Sequence, residues 1–269
     1  MSGRVIDFQT RPSVISRASV VGKKEGEGPL GKGFDMVIED DMCGLDTWEA
    51  AESHLQKTAI GLVLDKAGIK AEKIDGIFAG DLINQCTGSA FGIRDFGIPY
   101  FGIYGACSTS VLAMINAAEY VDSGKMKIAI SATSSHFCSA EKQFRFPLEY
   151  GGQRPPTAQW TVTGASAAMI SDEVEKNCPR IEKAIIGKIV DKGITDANNM
   201  GAAMAPAAAD TIYTFLNETG TSPESYDLIL TGDLGKVGSR LLCELLEKEY
   251  SLDIRKQHND TGLMMYHLE

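Results

Sequence analysis

The chain has 269 residues, a net charge of −10 and 23% charged side chains, and is long enough to bury a core in one large or two intimate domains. The acidic balance argues against general nucleic-acid binding, which needs a basic footprint, but leaves small anionic ligands open because local fields can oppose the global one. No apolar run approaches the roughly twenty residues of a membrane span, no signal peptide is visible, and the six cysteines (43, 86, 107, 138, 178, 243) lack metal-site spacing and read mostly as reduced, buried small hydrophobes.

The first forty residues are glycine-rich and irregular. Val14 to Val21 reads as an edge strand, followed by the loop Gly22 to Gly31, which lacks the Lys-Ser/Thr ending of a phosphate cradle. Asp46 with Glu49 predicts a capping-box start to a helix that stops at Gly68, and Ile74 to Ala79 a short strand. A helix near Ser89 to Phe96 leads to the strand Tyr100 to Tyr104. The turn Gly105 to Ser110 then opens a helix, Val111 to Val121, that is apolar nearly all round and is expected to be central and buried. Lys127 to Ala132 is a small-residue strand. Residues 134–160 form a long polar and aromatic excursion, and Thr161 to Ile170 closes the first half as a strand. The second half predicts a helix from Pro206 to Gly220 with proline in its first turn, a strand at Asp227 to Thr231, a helix at Val237 to Tyr250, a short strand at Leu252 to Arg255, and a turn at His258 to Gly262.

A shift of 152 residues superposes Ile60–Leu82 on Ile212–Leu234 with nine identities in twenty-three positions, among them Gly68 with Gly220, Asp75 with Asp227 and Gly80-Asp81-Leu82 with Gly232-Asp233-Leu234. The period is too long for a solenoid and indicates two homologous halves, residues 1–196 and 197–269, of an α/β fold with mixed sheets. Under the same shift Cys107 falls on Asn259, so the cysteine turn of one half is the counterpart of the His258–Gly262 turn of the other. The first half runs to about Ile170, so the second is expected to lack its last roughly fifty residues, leaving apolar surface exposed.

Cys107 is the sharpest chemical candidate. It follows a strand and a small-residue turn and opens a helix, whose N–H groups and dipole favour a thiolate and could serve as an oxyanion hole; the alternative is a structural cysteine in a tight corner. Acyl chemistry would need an acid or base partner. Of the four histidines, His136 just after a strand and His258 in the pseudo-equivalent turn are the candidates, against ordinary loop histidines; His54 and His267 are not. Asp81 and Asp233 sit just past strand ends, as ligand contacts or as turn caps. Asn84 could hydrogen-bond a carboxylate. Arg145 and Arg154 could fork onto a dicarboxylate, or pair with Glu141 and Glu149 in a lid or dimer-interface loop. Calcium-loop spacing is not met at Asp191–Gly201, and no metal site is expected.

A duplicated α/β half with a cysteine opening its central helix resembles the thiolase superfamily of thiolases and ketoacyl synthases. Gly105-Ala106-Cys107-Ser108-Thr109 is similar to their cysteine motif, Val162 to Ala168 to the glycine-alanine strand that follows, and His258-Asn259-Asp260-Thr261-Gly262 to the His-Gly-Asn-Thr-Ser turn of ketoacyl synthases. Further blocks span nearly the whole chain and resemble the stage V sporulation protein AD family. They are Lys24 to Gly31, Ala79 to Gln85, Gly105 to Ser110, Ala132 to His136, Gln143 to Arg145 with Glu149 to Gln153, Asp191 to Asp196 with Met204 to Thr211, and Leu230 to Leu234. The resemblance implies a thiolase-like duplicated α-β-α-β-α sandwich with the C-terminal part of the second half missing. It also implies dipicolinic acid binding and a place at the spore inner membrane with other stage V sporulation channel proteins.

Two departures from active ketoacyl synthases bear on function. Where they place a catalytic histidine, this chain reads Thr231-Gly232-Asp233, and their turn asparagine aligns with Asp260, Asn259 being one residue away. A carboxylate cannot polarise a thioester carbonyl as an imidazole does, and would repel a developing enolate. The expectation is therefore a noncatalytic protein that holds dipicolinate in the former acyl pocket, with Cys107 as a vestigial nucleophile at its floor. Asp81, Asn84, His136, Arg145, Asp233, His258, Asn259 and Asp260 are the candidate ligand contacts. No cofactor is expected beyond calcium accompanying the ligand, and a homodimer is expected if the fold is complete. The rivals are a Cys107-dependent acyltransferase or ketoacyl synthase-like enzyme, and a structural subunit of a spore membrane complex.

Overall fold

The computed structural model describes residues 3–144, 157–173, 177–196 and 198–267. In chain order the elements are β1 (Val5–Asp7), β2 (Ser13–Gly22), α1 (Lys23–Gly26), β3 (Met36–Ile38), α2 (Trp48–Ala67), β4 (Gly76–Gly80), α3 (Thr87–Ile93), β5 (Tyr100–Gly102), α4 (Thr109–Asp122), β6 (Ile128–Ser135), α5 (Phe137–Phe144), β7 (Gly164–Ser171), β8 (Lys183–Ile185), α6 (Met200–Thr219), β9 (Ile229–Thr231), α7 (Gly235–Tyr250), β10 (His258–Asp260) and α8 (Thr261–Met264). They form two compact units, Phe8–Tyr150 with Thr161–Glu182, and Met1–Asp7 with Gly151–Trp160 and Lys183–Glu269. Lys183–Glu269 makes up most of the second unit. Its strand β8 pairs antiparallel with β1, and Lys188 bridges to Asp210 on α6.

The first unit is a six-stranded mixed sheet in the order β3-β2-β7-β6-β4-β5. Side chains alternate across it, as the strand period of two requires. Ile128, Ile130 and Ala132 of β6 join Ala165, Ala167 and Met169 of β7 against α2, which contributes Leu55, Ala59, Ile60 and Val63. Ala129, Ile170 and Phe78 face the other way, against Ala113, Ala117 and Val121 of α4. Burying one large aliphatic residue of this kind stabilises by about 1.5–3 kcal/mol, so the sheet is held from both faces. Two expectations are corrected here. β2 is not an edge strand, because the three residues of β3 pair in parallel with its far end. And α4 buries only one stripe: Val111 is 59% exposed.

In the second unit α6 packs on α7 around Ala205, Ala209, Leu242 and Leu246, and β9 pairs in parallel with β10. α6 starts six residues before Pro206, so the proline sits inside the helix rather than in its first turn. The start is set by the Asn199 side chain, which accepts from Ala202 N. The two helices meet through glycines: a Cβ at Gly201 would lie 2.5 Å from the Leu234 carbonyl oxygen, and one at Gly238 would lie 2.8 Å from Gly201 Cα.

The repeat is visible residue by residue. α2 and α6 each have 20 residues and begin 152 apart. Thr47 and Asn199 cap them in the same way, and Gly68 and Gly220 end them in the left-handed region at φ 64° and 65°. α4 and α8 also start 152 apart, at Thr109 and Thr261. The strand registers do not follow. Ile77 pairs with Tyr100, whereas its counterpart Ile229 pairs with His258, an offset of 158. The second half has a longer helix before the strand and a shorter turn after it, and the two differences cancel. For this reason Leu252 to Arg255 is not a strand: Ile254 is a fully buried core plug whose carbonyl accepts from Gln257 N and His258 N in a turn.

Candidate functional site

In the first unit, Cys107 lies in a single tight turn, Ala106–Ser108, at the mouth of α4, and is exposed. The turn is fixed by Ser108 N and Ser108 Oγ donating to the Gly105 carbonyl, and by Thr109 Oγ1 donating to the Ala106 carbonyl at 2.8 Å. Ala106 is held at φ 47°, a left-handed conformation that costs an alanine on the order of 1 kcal/mol and is kept where the surroundings enforce it. Beside α4 lies an open groove of about 640 Å³, bordered by Ser110 and Met114, by Arg17, Ser131, Thr133 and Ser166, and by Asp35 and Lys66. No sequence motif pointed to it, because its lining is gathered from three strands and two helices that are distant in sequence.

The acidic and imidazole candidates of this unit are occupied. Asp81 is 1% exposed; its Oδ1 accepts from Ile83 N at 2.8 Å, and its Oδ2 accepts from Ser89 N at 2.7 Å and Ser89 Oγ at 2.6 Å. It caps the loop and first turn that lead into α3, which is the turn-cap reading. Asn84 is exposed but tied to α5: its N–H donates to Gln143 Oε1 and its Oδ1 accepts from Gln143 Nε2. His136 is 1% exposed. Its Nδ1 accepts from Cys138 N, so the ring proton sits on Nε2, which donates to the Asp41 carbonyl at 2.8 Å. Both ring nitrogens hold backbone. Arg145 and Arg154 lie outside the described residues.

Sequence reasoning missed Glu52. Its carboxylate is fully buried on α2 and accepts from Ser134 Oγ at 3.2 Å and Ser139 Oγ at 2.6 Å. Burial, with Asp81 and Glu49 nearby, pushes its pKa up to about 7, against the opposing pull of the two hydroxyls. The available signal was spacing: Glu52 and Gln56 lie four apart on the stripe that carries Ala51, Leu55, Ala59 and Val63.

In the second unit the candidates form a relay. Asp260 is fully buried. Its Oδ1 accepts from Gly235 N (2.9 Å) and Gly262 N (3.0 Å), and its Oδ2 from Thr231 Oγ1 (2.7 Å) and Leu234 N (3.2 Å). One carboxylate thus caps the starts of both α7 and α8. Since the Thr231 hydroxyl gives its proton to Asp260, its oxygen accepts from His258 Nε2 at 2.9 Å, which leaves His258 Nδ1 facing the Cys243 sulfur at 3.9 Å. Burial lowers the His258 pKa, with Asp260 pulling the other way. Asn259 Oδ1 accepts from Asp260 N. Asp233 adopts φ 61° and its carbonyl accepts from Gln159 Nε2. Among the described residues no group of three His, Cys, Asp or Glu side chains could hold a metal ion, and no helix is long and apolar enough to cross a membrane.

Solved structures share this fold. A variant of OleA from Xanthomonas campestris, crystallised with cerulenin, aligns over 94% of this chain and 83% of its own, with a TM-score of 0.65 and 15% identity. The 3-oxoacyl-(acyl carrier protein) synthase III of Xanthomonas oryzae aligns over 97% and 87%, with a TM-score of 0.64 and 17% identity. At such identities the likeness establishes the thiolase-like fold alone. Sequence likeness goes further. A curated relative, stage V sporulation protein AD of Bacillus subtilis (strain 168), is 44% identical over 253 residues, 94% of this chain and 74% of that protein. The profile of the family described as stage V sporulation protein AD matches residues 2–269. With its duplicated α/β halves and its cysteine at the mouth of α4, the chain belongs to the stage V sporulation protein AD family.

Proposed function

We propose that this sporulation protein is a noncatalytic binder of pyridine-2,6-dicarboxylate, using a surface descended from an acyl-transfer pocket around Cys107. The observation that carries the reading is the engagement of its histidines. Both ring nitrogens of His136 hold backbone groups, and those of His258 face Thr231 and Cys243. His54 lies on the exposed side of α2. With these imidazoles engaged elsewhere, they do not offer Cys107 the 10²–10⁴-fold that proton transfer by a histidine contributes to acyl chemistry. A small dicarboxylate instead asks for N–H and O–H donors. The start of α4 supplies these at Cys107 and Ser110, and the adjoining groove, which Ser110 borders, is of small-ligand size.

In this reading the protein takes part in dipicolinate uptake into the spore and its release at germination. It works beside other stage V sporulation channel proteins at the spore inner membrane, with calcium as a co-ligand of the dicarboxylate. Isothermal titration with dipicolinate, with and without calcium, is the test. Saturable binding weakened roughly fivefold or more by Cys107→Ala supports the reading, and an absence of heat from the folded chain overturns it. The exposed thiol at a helix mouth is the observation that favours the rival acyltransferase reading. A stable acyl adduct on Cys107, seen by intact mass after incubation with acyl-CoA, would establish that rival.

A further inference from the structure

We propose that Glu52 is a built-in proton acceptor, and that the Ser134–Glu52–Ser139 relay seats α5 on α2 in two alternative hydrogen-bonding states that respond to pH.

The geometry supplies partners for both states. With the carboxylate ionised, Ser134 Oγ–H donates to Oε1 and Ser139 Oγ–H to Oε2. With a proton taken from solvent onto Oε2, the new O–H donates to Ser139 Oγ. The Ser139 hydroxyl then turns to the His136 carbonyl, 3.1 Å away. Only a proton is gained and a hydroxyl rotated. The ionised state leaves a fully buried charge with two neutral hydroxyls and no cation, a poorly compensated arrangement. The neutral state leaves every hydrogen of the relay used.

The surrounding charges favour proton uptake. Glu49 lies on the same helix, and Asp81 follows β4. From α5 come Glu141, which is 6% exposed, and Lys142, whose Nζ is bonded to Glu49 at 2.9 Å. His136 precedes α5 with both nitrogens engaged, β6 brings only the Ser134 hydroxyl, and α3 brings Ser89. No cation among these is hydrogen-bonded to Glu52. The seat reaches further through α5: four residues after Ser139, Gln143 holds the Leu82 carbonyl and Asn84. A change at Glu52 is therefore felt at the turn that leads into α3.

The sign follows from the raised pKa. Between the ordinary glutamate value of 4.5 and about 7 the folded chain holds a proton that the unfolded chain releases, so stability falls as pH rises through this window. From pH 5.5 to 8 the unfolding equilibrium should shift roughly twentyfold from this site alone. The test is the pH dependence of urea unfolding and of amide exchange in α5, on the full chain, for wild type and Glu52→Gln. The glutamine amide donates to Ser139 as the protonated acid does. The variant should therefore lose the roughly twentyfold shift, and its α5 amides should stay protected at pH 8. Infrared difference spectra give a measurement independent of variant stability: a buried protonated-carboxyl band present at pH 6 should vanish by pH 8 and be missing in Glu52→Gln. A variant that keeps the wild-type pH slope, or a wild type without that band, overturns the proposal.

Discussion

Replacing Asp260 by asparagine distinguishes a structural cap from a displaced catalytic residue. All four donors to this carboxylate are fixed, three of them backbone N–H groups shared between both oxygens. An asparagine amide must place its NH₂ on one side. At Oδ1 it opposes Gly235 N–H and Gly262 N–H. At Oδ2 it opposes Leu234 N–H, while the Thr231 hydroxyl can turn to accept. The cheaper orientation still orphans one buried N–H, about 1–3 kcal/mol, and removes the charge assistance from two other bonds, so the total is about 3 kcal/mol. Lost interaction with the starts of α7 and α8 has the same sign. With a urea slope of about 2 kcal/mol/M, the midpoint should fall by about 1.5 M. Trp160 belongs to this unit, so its fluorescence in a Trp48→Phe background follows the transition. A midpoint unmoved within about 0.2 M, or acyl transfer gained by Asp260→Asn, would refute the cap.

Two further outcomes follow from the same geometry. His258 should titrate below its ordinary value of 6.5 because burial disfavours its cation, and long-range nitrogen NMR should show the Nε2–H tautomer. The unfolded ring binds a proton that the folded one resists, so this group removes stability as pH falls through 6.5; an Nδ1–H ring would contradict the Thr231 relay. Pro206, the seventh residue of α6, has no N–H for the Ala202 carbonyl. Pro206→Ala should stabilise by about 2 kcal/mol, the helix-interior cost of about 3 less about 1 for the freer unfolded chain. A lower melting temperature would show that the proline is compensated by its neighbours.

Much of the architecture is legible in the chain because helix ends are written locally. The constant shift of 152 lands on matching first and last residues of α2 and α6 because Thr47, Asn199, Gly68 and Gly220 are local caps; the glycine stops were readable, whereas the starts lie at Thr47 and Asn199 rather than at Asp46 and Pro206 as the sequence suggested. Strand register is not written locally. It is set by what pairs across the sheet, and two opposite changes in length left the shift intact while moving the ladder by six residues. β3 was invisible because three residues are too few to show a period. At the site, residue types were readable and their occupations were not. His136 is spent on backbone groups of Asp41 and Cys138, and nothing in the letters says so. Glu52 was overlooked because a carboxylate on an apolar stripe looks like an interruption until the hydroxyls of β6 and α5 are seen to meet it.

The glycine contact between α6 and α7 restricts how this unit can change. A methyl group at position 238 would strike the backbone at 201, and one at 201 would strike the carbonyl that ends the turn before α7. Backbone cannot step aside as a side chain tip can. Neither site can therefore accept even alanine while the other stays as it is, and alanine at both would only worsen the collision. At this crossing backbone rests against backbone with no room for a Cβ, so divergence here has to proceed through the residues around the joint and never through the joint itself.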